Sequence, residues 1–202
     1  MSGIIIKCSG FNNRKVQVGT VQFRKVIHVS GAILPLVAEN FGKTQTLTLV
    51  FLCLILYLFV EILKTKISKN LLSMVYRENE LSGFSIEPLS YFISVILLIY
   101  LSFFINEKIC YAAIAILAAG DGFAGIMGRR YGKHRFPFNK NKSWEGSVSG
   151  FIAASITGYY YAGFIAIVGS VFGMAAGAIN KYDNISVPLV AAIAMIIFQC
   201  YF

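Results

Sequence analysis

Seven long apolar runs constrain this chain more than any other feature of its sequence. They cover residues 26–42, 44–63, 88–106, 109–128, 146–160, 162–180 and 185–202. Runs of about 18 or more apolar residues match a bilayer, where the backbone must satisfy its own hydrogen bonds as helix. We therefore expect an all-α, polytopic transmembrane helical bundle with about seven spans. Pro35 interrupts the first run, and only the tyrosines at 159–161 separate the fifth run from the sixth. A count of six or eight spans is therefore also compatible with the sequence.

The composition excludes an ordinary water-soluble domain. Hydrophobic residues make up 57% of the chain, charged residues make up only 13%, and the mean hydropathy is +0.70. A soluble domain carries about 25% charged residues. The net charge of +9 comes from basic residues between the apolar runs, which favours membrane orientation, anionic lipid or a phosphorylated substrate over nucleic acid. The four cysteines are too far apart for a zinc site or a disulfide framework.

The basic residues are distributed unequally between the two sides that seven spans define. Sixteen of the 18 lie in the amino-terminal tail and the loops of one side, whereas Lys43 and Lys108 lie on the other. By the positive-inside tendency, the first side is the cytoplasmic face of a cell membrane or an ER-type membrane. We expect a basic cytoplasmic segment at 1–25, without a cleavable targeting signal, and a single transmembrane catalytic domain at 26–202. The basic run that begins at Lys64 is expected to face solvent or lipid headgroups.

The apolar runs are of two kinds. The runs at 44–63 and 88–106 are bulky, as expected of helices that face lipid. Gly169, Gly173 and Gly177, in contrast, recur every four residues without polar neighbours. This spacing indicates close packing of the sixth helix against another helix.

Ionisable residues at the ends of the spans mark a candidate site, because such groups are costly in a membrane and usually functional. Arg24 and His28 lie four residues apart at the start of the first span, on one helical face, with Lys25 beside Arg24. Arg77 and Glu80 precede the third span at helical spacing, where a surface salt bridge is an equal alternative. We expect both groups on the cytoplasmic side.

The segment at 120–147 carries the strongest signal. Asp121 lies between two glycines inside an apolar run, and a carboxylate among glycines can hold Mg²⁺ while phosphate oxygens approach the backbone. We therefore interpret these glycines as ligand-facing. The basic side chains that follow can neutralise a phosphoryl group in transfer. Ser143 can cap the fifth helix, whose first N–H groups form an anion site. The spacing is neither that of a P-loop nor that of a dinucleotide fold.

The last span opens with Asp183 and Asn184. Asp183 is either a helix cap or a second metal carboxylate that complements Asp121 across the bundle. Both residues would lie near the cytoplasmic face.

Together these motifs resemble the CTP-dependent polyprenol kinase family, which includes dolichol kinase, phytol kinase and a fungal-type diacylglycerol kinase. The matching strings are Arg24-Lys25-x-x-His28, Arg77-x-x-Glu80, Gly120-Asp121 through Gly132-Lys133, Lys142-Ser143-Trp144-Glu145-Gly146 and Asp183-Asn184 with Pro188. The resemblance implies an integral membrane enzyme that transfers the γ-phosphoryl group of CTP, with a divalent metal such as Mg²⁺, to a lipid hydroxyl. Its acceptor would be dolichol, geranylgeraniol or a related polyprenol. Tyr182 departs from the family, because many relatives carry Asp there.

The roles that follow are assigned residue by residue. Candidate contacts to the nucleotide or its phosphates are Arg24, Lys25, Gly120, Gly122, Arg129, Arg130, Gly132, Lys142, Ser143, Glu145 and Gly146. Candidate metal ligands are Asp121, Asp183 and Asn184, and candidate catalytic residues are Asp121, His28 and Lys133. Arg77 and Glu80 are further candidates. Whether His28 or Asp121 accepts the hydroxyl proton stays open, since a loose phosphoryl transition state needs little base assistance.

Two rival functions are weighed against the kinase. Residues 128–146 also resemble part of CDP-diacylglycerol synthase, so the alternative is a CTP-dependent lipid cytidylyltransferase that makes CDP-diacylglycerol or CDP-archaeol. Its Pro-Gly-His-Gly-Gly string is absent from residues 171–202. A transporter or channel predicts charges throughout the membrane depth and an inverted repeat, and the sequence has neither. The identity of the alcohol, the choice between CTP and ATP, and the oligomeric state stay open; an oligomer is compatible with the sequence.

Overall fold

The computed structural model describes residues 25, 27–67, 72, 76, 80, 83–180 and 182–201. In this part of the chain the main elements are seven helices. They are α1 (Ile27–Phe41), α2 (Lys43–Leu63), α3 (Ile86–Leu101), α4 (Glu107–Tyr131), α5 (Trp144–Ala162), α6 (Ile165–Ile179) and α7 (Asp183–Tyr201).

The helices coincide with the seven apolar runs, which confirms the prediction of an all-α transmembrane bundle. By length and composition α2, α4 and α7 can each cross a membrane, and α1, α3 and α6 are apolar but shorter. One boundary prediction is wrong. The tyrosines at 159–161 do not separate two spans, because they lie inside α5. The chain turns instead at Gly163, whose φ of 63° favours glycine, as does the φ of 98° at Gly42 between α1 and α2.

The central helix is α4. From Ile109 to Ala119 none of its residues is more than 2% exposed, and α4 contacts α1, α3, α5, α6 and α7. A buried helix of this kind needs small residues on its faces, and α4 supplies them as alanines and glycines. A functional side chain in this buried part of α4 is therefore surrounded by the rest of the bundle.

The bulky helices occupy the outside. α2 packs against α1 and α3, and its exposed side chains, including Leu52 and Leu56, form an apolar outer surface of the kind expected of a helix that faces lipid. α3 only half fits the prediction. It exposes Ile93 and Leu97, but Val95 and Leu98 are fully buried in the core.

The glycine stripe of α6 packs against α7, as its spacing predicts. A Cβ atom built on Gly169 would lie 2.8 Å from Cγ of Met195, and one built on Gly173 would lie 3.0 Å from the carbonyl oxygen of Val187. These distances leave no room for a larger side chain. The stripe therefore holds α7, which begins with Asp183, at a fixed distance from α6.

Residues 132–143 form a hairpin between α4 and α5. The Phe136 N–H donates to the carbonyl oxygen of Lys142 at 3.2 Å, and the Trp144 N–H donates to that of His134 at 3.0 Å. Ser143 caps α5 as predicted, because its Oγ accepts from the N–H of Gly146 at 3.2 Å. These bonds fix the backbone that carries Lys142.

Candidate active site

Polar side chains from four parts of the chain meet at one end of the bundle. They are Lys25 and His28 at the start of α1, Asp121 in α4, Lys142 in the hairpin and Asp183 at the start of α7. The sequence separates these residues by up to 158 positions. The helix packing described above brings them together.

Asp121 is the centre of this cluster. It ends the π-helical stretch Ile116–Asp121 of α4, a geometry that occurs often at functional sites, and its side chain is only 3% exposed. Its Oδ2 accepts a hydrogen bond from Lys25 Nζ and lies 3.6 Å from His28 Nε2. Its Oδ1 lies 3.4 Å from Lys142 Nζ. A buried carboxylate is stable in a membrane protein only with such partners.

Asp183 shares one of these partners. The ammonium group of Lys142 donates to Asp183 Oδ2 at 2.6 Å while it contacts Asp121 at 3.4 Å. Asp183 also contacts the first turn of α7, since its Oδ1 accepts from the Asn184 N–H at 3.0 Å. The two carboxylates that the sequence assigned to one metal therefore lie on either side of one cationic nitrogen.

Lys142 stays protonated in this position. Burial lowers the pKa of its ammonium group, but the carboxylates of Asp121 and Asp183 outweigh burial, and the pKa is raised above its ordinary value. The Lys142 side chain is 26% exposed, so it is in partial contact with solvent while its ammonium group contacts the carboxylates.

His28 lies on the opposite side of Asp121 from the hairpin, and its side chain is 12% exposed. Its ring lies 4.2 Å from the ring of Tyr91 on α3, measured between centroids. The Tyr91 hydroxyl donates to the carbonyl oxygen of His28 at 3.4 Å. Tyr91 thus fixes His28 from α3. This contact could not be predicted from the sequence, because an aromatic residue in an apolar helix is common.

Asn184 joins two helices. Its side-chain amide nitrogen donates to the carbonyl oxygen of Glu87 at 2.7 Å and lies 3.3 Å from Ser90 Oγ. Glu87 and Ser90 belong to the first turns of α3. The amide nitrogen therefore joins α7 to α3, and the prediction that Asn184 binds a metal, which would use its amide oxygen, stays a prediction.

Three predicted phosphate ligands lie at the edge of the cluster. Arg129 and Arg130 occupy the last turn of α4, and Lys133 follows in the hairpin; all three are exposed. Arg129 Nε donates to the carbonyl oxygen of Gly125 at 3.0 Å, and the guanidinium of Arg130 lies 5.4 Å from the ring centroid of Tyr131. Their charges extend the positive rim that Lys25 and Lys142 begin. Their contact with phosphate stays a prediction.

Glu145 stabilises the hairpin. Its Oε1 accepts from the backbone N–H of His134 at 3.1 Å and lies 2.7 Å from His134 Nδ1. A hydrogen bond from its own N–H lowers the pKa of the carboxyl group most, burial opposes this, and the contacts to His134 help to bring the pKa to about 2. These contacts give Glu145 a structural role in the hairpin, and the prediction that it contacts the nucleotide or its phosphates stays a prediction.

Helix packing accounts for most of the glycines. A Cβ atom on Gly120 would lie 2.7 Å from Met174 Sδ, one on Gly122 would lie 2.2 Å from Val29, and one on Gly146 would lie 2.7 Å from the carbonyl oxygen of Ala124. All three glycines are buried. They let α1, α5 and α6 approach α4, in place of the ligand-facing role suggested by the sequence.

Gly132 closes the end of α4. A Cβ atom there would lie 2.1 Å from the carbonyl oxygen of Gly128 and 2.5 Å from Ser143 Oγ. Ser143 itself is 3% exposed. Gly132 and Ser143 thus fix the two ends of the hairpin against each other.

Two predicted residues, Arg24 and Arg77, lie outside the described residues. Glu80 is described and is 9% exposed; its backbone carbonyl oxygen accepts from Lys64 Nζ at 2.8 Å. The prediction that Lys64 faces solvent is wrong. Lys64 is 7% exposed and donates to Glu61 Oε1 at 2.5 Å. The sequence did contain a signal for this buried pair, namely an acidic residue inside an apolar run three positions before a lysine.

Known proteins similar to this chain are plant kinases. The probable phytol kinase 1, chloroplastic, of Oryza sativa is 31% identical over 196 residues, which cover 85% of this chain and 62% of the rice protein. Phytol kinase 1, chloroplastic, of Arabidopsis thaliana is 28% identical over 197 residues, covering 85% and 64%. The farnesol kinase of Arabidopsis thaliana is 46% identical over 63 residues, covering 29% and 20%. No family model matches, and no solved structure matches significantly.

The chain thus spans about three fifths of the length of the phytol kinases that it matches. Over most of its own length it is a homologue of plant phytol kinases, with a shorter match to a farnesol kinase, and its resemblance to the polyprenol kinase family is confirmed.

Proposed function

We propose that this chain is a membrane enzyme that transfers the γ-phosphoryl group of CTP to the hydroxyl of an isoprenoid alcohol. One observation carries the proposal. Two carboxylates from distant helices, Asp121 and Asp183, share the ammonium of Lys142 at the polar end of an apolar bundle. The relatives are named for phytol and farnesol, which are isoprenoid alcohols. A triphosphate arriving from water and an alcohol arriving from the bilayer can meet at such a place.

The donor set suits Mg²⁺. Mg²⁺ is commonly bound by one or two protein carboxylates together with phosphate oxygens. Within the described residues no group of three or more His, Cys, Asp or Glu side chains gathers as a metal site, so nucleotide oxygens would complete the shell. Asp121 and Asp183 already share one cation, which shows that their charges converge. Bound there, Mg²⁺ would neutralise the phosphates of the nucleotide.

The surrounding residues divide the remaining work. Lys25 holds Asp121 in place. Lys142 and the exposed basic residues Arg129, Arg130 and Lys133 would bind phosphate oxygens and stabilise the negative charge that develops on them during transfer. His28 is partly buried beside Asp121 and contacts Tyr91, so we assign it the role of orienting the acceptor hydroxyl. The proton of that hydroxyl passes to His28 or to Asp121.

We also propose an orientation. Among the described residues, Lys25 and the basic residues of 129–142 lie at the polar end of the bundle, whereas Lys43 and Lys108 lie at the other end. We therefore place the polar end at the cytoplasmic face, with the basic segment at 1–25. Residues 26–202 would then form the catalytic domain.

The experiment uses the purified full chain in nanodiscs, with CTP labelled at the γ position and phytol, farnesol or geranylgeraniol as acceptor. We expect label in a prenyl monophosphate, in a reaction that needs a divalent metal. Release of pyrophosphate with formation of a CDP-lipid from phosphatidic acid would refute the kinase and support the cytidylyltransferase. Replacing CTP by labelled ATP tests the donor in the same assay.

A further inference from the structure

The hairpin places one ammonium group where the two carboxylates converge. Lys142 Nζ lies 2.6 Å from Asp183 Oδ2 and 3.4 Å from Asp121 Oδ1. Asp121 has a second ammonium partner, Lys25. Among the described residues, the ion pairs of Asp183 involve Lys142 alone. Removing Lys142 would therefore leave Asp183 with a charge to be balanced, while Lys25 still balances Asp121.

The hairpin backbone is fixed, whereas the Lys142 side chain is partly exposed to solvent. Backbone hydrogen bonds join Phe136 to Lys142 and His134 to Trp144, and the Asn139 side chain donates to the carbonyl oxygen of Ala178 at the end of α6 at 2.9 Å. The Lys142 side chain itself is 26% exposed. A lysine has a flexible four-carbon stem, so its ammonium can change partners while the backbone stays in place.

We propose that Lys142 is an exchangeable counter-ion: it balances Asp183 and Asp121 in the nucleotide-free protein and moves to the nucleotide phosphates when a divalent cation binds between the carboxylates. The proposal rests on the proposed function for the identity of the nucleotide. The chemistry is a competition, because an ammonium group and a divalent cation attract the same oxygens and repel each other. After the exchange the ammonium meets phosphate, an anion for which lysine is a common ligand.

The competition is tested by binding of Mn²⁺ alone, measured by electron paramagnetic resonance on the purified full chain in nanodiscs without nucleotide. Lys142→Met keeps the apolar stem and removes the charge. Lys140→Met, on the exposed part of the same hairpin, removes an equal charge away from the carboxylates. We expect Lys142→Met to bind Mn²⁺ at least about fivefold more tightly than wild type, and Lys140→Met to bind like wild type.

Equal affinity in wild type and Lys142→Met, or equal tightening by Lys140→Met, would overturn the exchange. Lys142→Gln is measured in parallel, so that one poorly folded variant does not decide the outcome. Adding Asp183→Asn to Lys142→Met should abolish the gain, and a gain that survives would overturn the exchange as well. γ-Labelled CTP on the same wild-type preparation tests the kinase separately: absent transfer with the expected Mn²⁺ result refutes the kinase alone, and transfer without that result refutes the exchange alone.

Discussion

Replacing Asp121 by Asn removes the charge on which the candidate site is built. The amide keeps the shape of the carboxylate, which is 3% exposed, but it no longer balances Lys25 and Lys142. At the 3.4 Å between Asp121 Oδ1 and Lys142 Nζ, two unit charges attract by about 5 kcal/mol at an effective dielectric constant of about 20. Desolvation offsets part of this, and breaking a buried pair costs about 3–5 kcal/mol in stability.

The cost in turnover follows from the same charge. Removing one group that stabilises charge in a transition state lowers kcat by about 10²–10³. We therefore expect Asp121→Asn to lose at least about 100-fold in transfer of γ-labelled phosphate to a prenol. The unfolding transition is followed in the same samples, since a folded variant is needed to interpret the loss.

Glu107→Gln is the matched control for this variant. Glu107 begins the same helix at its other end, where it forms an ion pair with Lys43 at 2.6 Å and is half exposed. We expect its turnover to equal that of wild type. A folded Asp121→Asn variant that works within about threefold of wild type would refute the proposed site.

Three further predictions concern the scaffold. Lys64→Met leaves Glu61 buried and unbalanced, so we expect about 3 kcal/mol less stability in denaturant unfolding. Gly173→Val pushes a Cβ atom to 3.0 Å from the carbonyl oxygen of Val187 and should cost about 1–3 kcal/mol in the same assay, whereas Gly83→Ala, which meets nothing within 4 Å, should be neutral. Because the folded-state pKa of Glu145 is about 2, below the ordinary 4.5, its contacts stabilise the fold above pH 4.5 and are lost as pH falls toward 2. The Tm difference between wild type and Glu145→Gln should therefore be present at pH 7 and shrink at pH 3; a constant difference or none would contradict this role.

The fold was largely readable from the sequence because a membrane leaves few alternatives to helix. Hydrophobic run length located the seven helices, and the spacing of Gly169, Gly173 and Gly177 identified a packed face. The same reasoning placed Asp121 and Asp183 near one end of the bundle, because the apolar run that contains Asp121 ends, and the run that follows Asp183 begins, at the same face. Spacing along the chain was sufficient in these cases because the interactions depend on a whole helix face.

Contacts between distant side chains were not readable. Asn184 donates to the backbone of α3, and the contacts between Glu145 and His134 hold the hairpin. Both interactions depend on which backbone carbonyl or N–H group lies nearby in the fold. Lys64 was misjudged for the same reason, because the spacing of Arg77-x-x-Glu80 does not show that the backbone carbonyl oxygens of Glu80 and Gly83 accept from it. The glycines around Asp121 were misread because close packing and ligand access require the same small residue.

A double-mutant cycle on Asp121 and Asp183 tests the central claim most directly. Transfer of γ-labelled phosphate from CTP to a prenol is measured under single-turnover conditions for wild type, Asp121→Asn, Asp183→Asn and the double variant. If the two carboxylates act as one site, each single change loses at least about 100-fold and the double variant loses less than about tenfold beyond the worse single variant. Losses that multiply would show two independent residues and would contradict the account.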